Sequence, residues 1–372
     1  MMLNGISREP APGEEPDTVD AKDPKPAGEA SDSSEASRPG EASEAGRTSE
    51  ANRANEASGA NRVDEASRAG EASRAGEASY DELRPLMFSI AYRMTGSVGD
   101  AEDIVQEAFI RAHRAAGAGI LVESPQAFLA TTTTRLAIDH LRSARVRRES
   151  YVGTWLPEPL VAEPGPAERA EMADSLSLAF LVLLESLSPV ERAVFLLREV
   201  FGYGYDEIAR TVGKSEANCR QIFGRARRRI DEGRPRFEAS RRQGAELTSR
   251  FLAAVGGGEM EPFIGMLAPD VVFYGDGGGK GPAITAPIYG RERVARLLRG
   301  LARRAQSVAA SVRPAQVNGQ PGVIAYDTDG NLFGVLAFDV LDGQVHAIRS
   351  VVNPDKLQHL GATSDLFLRP DR

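Results

Sequence analysis

The sequence predicts a multidomain chain in which two all-α helical domains precede an α+β cone-shaped domain, all behind a disordered N-terminal extension. Three observations lead to that fold class. A low-complexity repeat at the start offers almost nothing apolar to bury. Apolar residues at helical spacing then run from about Leu83 to Ile230, and beyond Ala245 the pattern turns to short helices followed by alternating strands.

From Glu29 to Ser79 the tripeptide Glu-Ala-Ser recurs seven times, and Val63 is the only large apolar residue of the stretch. Without a core, nothing offsets the entropy of ordering, so residues 1–79 are expected to be disordered. A solenoid would need core-forming residues in each repeat. The extension also accounts for the charge. It holds 17 Asp+Glu against 9 Lys+Arg, which equals the formal net charge of −8 of the whole chain and leaves residues 80–372 neutral. Within that neutral part, residues 220–242 carry nine arginines against Asp231, Glu232 and Glu238.

The single cysteine, Cys219, excludes an intrachain disulfide and a multi-cysteine metal site, and four histidines add little, so no metal or cofactor is expected. The N-terminus is polar, and no run of eighteen apolar residues occurs; the expected address is cytoplasmic.

Order is expected to begin at Ser79-Tyr-Asp-Glu82, a capping-box pattern, with Leu83, Leu86, Ile90 and Met94 on one helical face. A Gly96-Ser97 break precedes Asp100-Ala-Glu-Asp-Ile-Val-Gln-Glu-Ala-Phe109, whose acids crowd the start of a second helix where the dipole favours them. Ser124-Pro125 supplies N-cap and N1 for a third helix through Phe128, Leu136 and Leu141, closing the first domain at 80–148. Residues 149–171, with Trp155-Leu-Pro-Glu-Pro159, Pro164 and Pro166, hold too many prolines for a helix and read as a linker.

The second helical domain spans 172–232. Ser188-Pro-Val-Glu191 is a capping box with an apolar stripe behind it, Asp206 is the expected cap of a short helix ended by Gly213, and Ser215 caps the next. This layout is a helix-turn-helix. On a wheel Cys219, Ile222, Ala226 and Ile230 share the core side, while Arg220, Gln221, Arg225 and Arg228 lie on or beside the opposite one. Glutamine suits adenine edges, arginine suits guanine edges or phosphates, and Lys214 with the amides after Ser215 would fix a phosphate. A solvated helix with ordinary surface arginines is the bland alternative.

Helices near 245–255 and 259–267, a strand at 270–275, a helix at 290–304 and strands near 308–317, 321–327, 331–340 and 343–351 suggest a curved sheet wrapped on a helix over 245–352, with a tail at 353–372. Such cones enclose a pocket.

Residues 80–232 resemble an extracytoplasmic-function sigma factor of the sigma-70 class, on Asp100–Phe109 and on Ala137-Ile-Asp-His-Leu-Arg142 with its basic sequel. The resemblance implies an RNA polymerase subunit that binds core enzyme and promoter DNA. Asp100, Glu102, Asp103, Gln106 and Phe109 become contacts to the β′ clamp helices. Arg135, Asp139, Arg142, Arg145, Arg147 and Arg148 are expected at the minus-ten element. Lys214, Ser215, Arg220, Gln221, Arg225 and Arg228 are expected at the minus-thirty-five element. The linker would thread toward the polymerase active-site channel. The four-threonine run Thr131–Thr134 departs from the larger apolar residues frequent in the family.

Beyond the helix-turn-helix the order of elements resembles the SnoaL-like, nuclear-transport-factor-like superfamily. That resemblance implies a pocket in which some members use an Asp/His pair for proton transfer; Tyr274, Asp276, Asp339 and His346 are the groups available, no such pair is marked out, and no catalytic residue is assigned. Asp276-Gly277-Gly278-Gly279-Lys280, Asn353-Pro354-Asp355-Lys356-Leu357 and the Trp155 motif resemble the sigma-factor subgroup bearing that extension. These residues are expected to make regulatory contacts in cis, and an unknown small ligand is a further partner for the cone. A stand-alone helix-turn-helix regulator with a small-molecule domain competes with this reading; it would bind duplex DNA unaided, usually as a dimer.

Overall fold

The computed structural model describes residues 82–120, 122–149, 151–162, 176–233, 241–257, 259–280 and 284–365, with the side chains of 144–149, 162, 241 and 242 outside that set. The expected disordered extension therefore falls outside the described residues.

Helices α1 (82–95), α2 (Val98–Gly117) and α3 (Pro125–Glu149) form the first bundle around Met87, Ile90, Met94, Ile104, Val105, Leu129 and Ile138. Ser97, not the acidic run itself, caps α2 by accepting from the Asp100 amide at 3.1 Å, so the helix starts two residues before Asp100. Ser124 caps α3 as expected, accepting from the Ala127 amide at 3.3 Å. The second bundle comprises α4 (Leu178–Leu184), α5 (Pro189–Glu199), α6 (Tyr205–Val212) and α7 (Glu216–Gly233). The Ser188 capping box forms, and Gly213 ends α6 at φ 65°, in the left-handed region that suits glycine. The α6 cap is a correction: Gly204 occupies it, with the Glu207 carboxylate accepting from its amide at 2.8 Å. Asp206 instead lies in the first turn and pairs with Arg210 at 3.0 Å.

One continuous apolar cluster joins the two bundles, running from Met87 and Leu129 to Phe180, Leu184, Phe195 and Ile230. Arg192 of α5 is buried and donates to the Met94 carbonyl at 2.5 Å while pairing with Glu185 at 2.8 Å.

The C-terminal domain has α8 (Arg241–Gly257), α9 (Glu261–Ile264) and α10 (Arg291–Ser307) against a sheet of β2 (Leu267–Asp276), β3 (Ile288–Tyr289), β4 (Ser311–Val317), β5 (Gln320–Tyr326), β6 (Leu332–Leu341) and β7 (Gln344–Val351). A short strand from the expected linker, β1 (Val161–Ala162), adds itself to the edge, giving the order β1-β4-β5-β6-β7-β2-β3 with β2 and β7 parallel and the other pairs antiparallel. The segment expected as a plain linker is therefore partly sheet. The α9 helix stops earlier than 267 because β2 begins there, and α10 runs to Ser307, which delays β4.

The helix-covered face of the sheet is packed with Phe251, Phe263 and Phe338, whose ring centroids lie 4.9, 5.2 and 5.7 Å apart, together with Leu247, Val294 and Leu298. The other face buries Val317, Leu332, Val335 and Val351 against Leu156, Leu178 and Leu357. Helix α4 is thus shared: Phe180, Leu181 and Leu184 enter the helical core and Leu178 enters the sheet's outer layer. The expected tail also packs, through short 3₁₀ turns at Pro354–Lys356 and Gln358–Leu360.

Candidate functional site

Helix α7 keeps its two faces apart as its sequence requires. Cys219, Ile222, Ala226 and Ile230 are buried, while Lys214, Ser215, Arg220, Gln221, Arg225 and Arg228 are all exposed. Ser215 Oγ accepts from the Asn218 amide at 3.3 Å, which makes it a cap as well as a surface residue. Arg220 is steadied by Glu216 at 2.8 Å and by the Tyr205 ring at 5.1 Å, so its head is held at the helix surface. A row of positioned cations beside an exposed amide can read base edges and phosphates together.

On α2 the five acidic-helix candidates divide. Asp103 and Gln106 are exposed, Glu102 pairs with Arg84, Asp100 lies 3.1 Å from His140, and Phe109 is half-buried against the bundle core. Ile110, 37% exposed, continues the Asp103–Gln106 stripe at helical spacing and was missed in the sequence. Its signal was an apolar residue placed where the periodicity asks for a polar one.

On α3, Arg135 donates to the carbonyls of Thr211 at 2.9 Å and Arg210 at 2.7 Å, the free carbonyl end of α6, and Thr131 Oγ1 meets Thr211 Oγ1 at 3.0 Å. A cation at a helix C-terminus is well placed for its dipole. Part of the expected minus-ten surface therefore touches the helix-turn-helix. Thr133 and Thr134 are buried, and Thr134 Oγ1 donates back to the Ala130 carbonyl at 2.7 Å, which explains how hydroxyls occupy positions expected to be apolar. Asp139 and Arg142 are exposed and pair at 3.0 Å; the side chains of Arg145, Arg147 and Arg148 lie outside the described residues.

The three remaining motifs meet at one place. The Asp276 carboxylate, fully buried, accepts from the Leu156 amide at 2.7 Å, from Lys356 Nζ at 2.7 Å, from the Gly278 amide at 3.2 Å and from the Tyr151 hydroxyl. Lys356 Nζ also donates to the Leu156 carbonyl and sits 4.7 and 4.4 Å from the ring centres of Tyr151 and Trp155. Asn353 Nδ2 donates to the Tyr151 oxygen at 2.9 Å, its Oδ1 accepts from the Asp355 amide at 3.1 Å, and Lys280 pairs with Asp355 at 2.8 Å. Pro354 opens the 3₁₀ turn, and Leu357 is buried in the sheet's outer layer. Gly277 accepts from the Lys280 amide at 2.9 Å to close the loop, and Gly279 faces Val152. At Gly278, φ 58°, a Cβ would overlap the Asn353 amide, so the glycine is required twice over. Burial first, then the adjacent Asp276 charge, pushes the Tyr151 phenol far above its ordinary range.

The same linker grips the first bundle. The Trp155 ring packs on Gly96, and Glu158 places a carboxylate oxygen 2.7 Å from the Val98 amide, at the positive end of α2. Tyr92 donates to the Glu158 carbonyl at 2.6 Å. Asn318, in the β4–β5 turn at φ 51°, ties the parts together: its amide nitrogen donates to Tyr92 Oη and the Leu176 carbonyl, both at 2.8 Å, and its oxygen accepts from the Leu160 amide at 2.9 Å.

Two family models match the helical bundles: Sigma-70 region 2 over residues 79–147 and Sigma-70 region 4 over residues 177–230. The ECF RNA polymerase sigma factor SigJ of Mycobacterium tuberculosis is 36% identical over 291 residues, covering 74% of this chain and 91% of SigJ. A probable ECF sigma factor of the same organism, SigI, is 36% identical over 283 residues, covering 75% and 93%. The crystal structure of SigJ aligns with TM-score 0.60 at 33% identity over 76% of this chain and 98% of that one.

The chain is an extracytoplasmic-function sigma factor. A sigma factor of this family acts in transcription initiation with RNA polymerase core enzyme and promoter DNA, which the two bundles serve. Its C-terminal part is an α+β domain with three helices on a seven-stranded sheet, and the stand-alone regulator reading has no support. The four proton-transfer candidates of this sigma factor do not all meet at one place. Asp339 pairs with Arg349, whose guanidinium lies 5.2 Å from the Tyr274 ring; Asp276 is engaged in the clasp; His346 stands 3.7 Å from Asp270 at the surface. Among the described residues no group of three His, Cys, Asp or Glu could hold a metal, and no helix is long and apolar enough to cross a membrane.

Proposed function

We propose that the C-terminal domain regulates this sigma factor in cis by holding the linker, so that core polymerase must pull residues 151–162 out of the clasp before the linker can enter the active-site channel. The observation that carries this reading is the Asp276 carboxylate, which binds Tyr151, Leu156 and Lys356 at once. In the proposed bound state Asp103 and Gln106 of α2 dock on the β′ clamp helices, with Asp100, Glu102 and Phe109 shaping that helix from behind. Exposed Arg142 and Asp139, with Arg135 once freed from α6, serve the minus-ten element, and the exposed face of α7 serves the minus-thirty-five element. The work is done in the cytoplasm, where polymerase is. The domain is read as non-catalytic because its buried acids are each taken by a cation, and an aromatic-packed interior favours no ligand.

In vitro transcription with core polymerase tests the reading, using chains trimmed after Leu357 and, separately, before Ala245. Promoter-dependent output should change in at least one; equal output from both trimmed chains and the full chain would sink it. Replacing Asp103 and Gln106 by alanine should weaken core binding without altering the helical signal.

A further inference from the structure

Helix α10 carries six arginines and a single acid, Glu292, in 17 residues. Its inner side, Val294, Ala295, Leu298 and Ala302, is buried in the aromatic-filled core. Its outer side presents Arg293, Arg296 and Arg303, all exposed. Glu261 neutralises Arg299 at 2.8 Å, whereas no carboxylate among the described residues pairs with Arg293, Arg296 or Arg303. At ~1.5 Å per residue this stripe is about 15 Å long. Like charges at helical spacing disfavour a helix, so the fold itself gains nothing from the arrangement.

Gly300 lies in the middle of the same stripe, exposed, and a Cβ there would meet nothing within 4 Å. Glycine weakens a helix interior, and here no neighbour requires it. What it does is flatten the stripe between Arg296 and Arg303, so that another backbone can come close. Guanidinium groups on either side of a flat stretch suit a chain of regularly repeated phosphates.

We propose that this stripe of α10 is a sequence-independent contact for the phosphate backbone of duplex DNA flanking the promoter elements. On the proposed function α7 of the same chain engages duplex DNA, so even a weak second contact on that duplex would act at raised effective concentration. The chain's own extension is the competing acidic partner, but its 17 acids are interspersed with 9 basic residues, whereas duplex DNA carries a charge about every 1.7 Å.

The test uses the full chain, a random-sequence duplex and a salt series. Each phosphate that a cation no longer neutralises lowers the slope of log affinity against log salt by about 0.9. The triple variant Arg293→Gln/Arg296→Gln/Arg303→Gln should therefore be shallower by about 2 to 3 and bind roughly tenfold more weakly at low salt. The corresponding triple lysine variant should restore the slope. Gly300→Leu should keep or raise helix content while weakening binding. An unchanged slope in the glutamine variant overturns the proposal, as does undetectable wild-type binding at low salt or a lysine variant that restores nothing. Tighter binding by the glutamine variant also overturns it, since that is the result if residues 1–79 occupy the stripe.

Discussion

Lys356 is a buried cation held by the Asp276 carboxylate, the Leu156 carbonyl and the rings of Tyr151 and Trp155, and removing it leaves the buried Asp276 carboxylate without that cation. Breaking a buried pair from one side costs about 3–5 kcal/mol. Urea unfolding of Lys356→Met should show a decrease of that size, and the double variant with Asp276→Asn should recover part of it, because no charge is then left unpaired. Asn318→Ala removes three hydrogen bonds at a left-handed position; a decrease of roughly 2–4 kcal/mol is expected in the same measurement. The phenols give a pH signature. Tyr92 and Tyr151 are both pushed up chiefly by burial, so the folded state favours their neutral form. Their contribution is complete below the ordinary tyrosine range near pH ~10 and is lost as pH rises beyond it. In an ultraviolet titration Tyr92 and Tyr151 should ionise only as the chain unfolds, and Tyr151→Phe should reduce the amplitude of that delayed step.

At the scale of elements, α1 ends where it does because Gly96, at φ 70°, turns the chain and admits the Trp155 ring. Gly96→Ala would put a methyl 2.8 Å from that ring in a strained backbone, and a drop in thermal midpoint is expected, larger than for alanine at exposed Gly213. On α7, replacing Arg225 or Arg228 by alanine should cost about 1–3 kcal/mol of minus-thirty-five binding by the holoenzyme, with little change in the unfolding midpoint. The buried and exposed sides of α7 were legible because a single helix fixes its own periodicity. The α6 cap was misread for a local reason: aspartate is the better cap by composition, but Glu207 can reach back only to residue 204. Strand β1 was illegible, since two residues carry no period and its partner lies more than 150 residues away.

For the whole molecule, the order of bundles and cone could be read from the sequence, and so could the main frame of the cone as segments, from β2 through α10 to β7. How the domains pack could not. The Arg135–α6 contact and the meeting of Tyr92, Leu176 and Leu160 at Asn318 join residues far apart in the chain, each of which looks ordinary in its own neighbourhood. Helix α4 has apolar residues on both sides because it serves two cores. A chain cut before Ala245 should therefore expose Leu156 and Leu178 and aggregate more readily than the full chain, as light scattering on heating would show.

Trp155 is the chain's only tryptophan, and it lies against Gly96 on one side and the Lys356 ammonium on the other. The molecule therefore carries a built-in optical probe where the linker meets both the first bundle and the C-terminal domain. An emission shift toward the red at denaturant concentrations that leave far-ultraviolet dichroism intact would mark a species with the linker released but the helices still folded, and its population would measure directly how much free energy holds the linker in place.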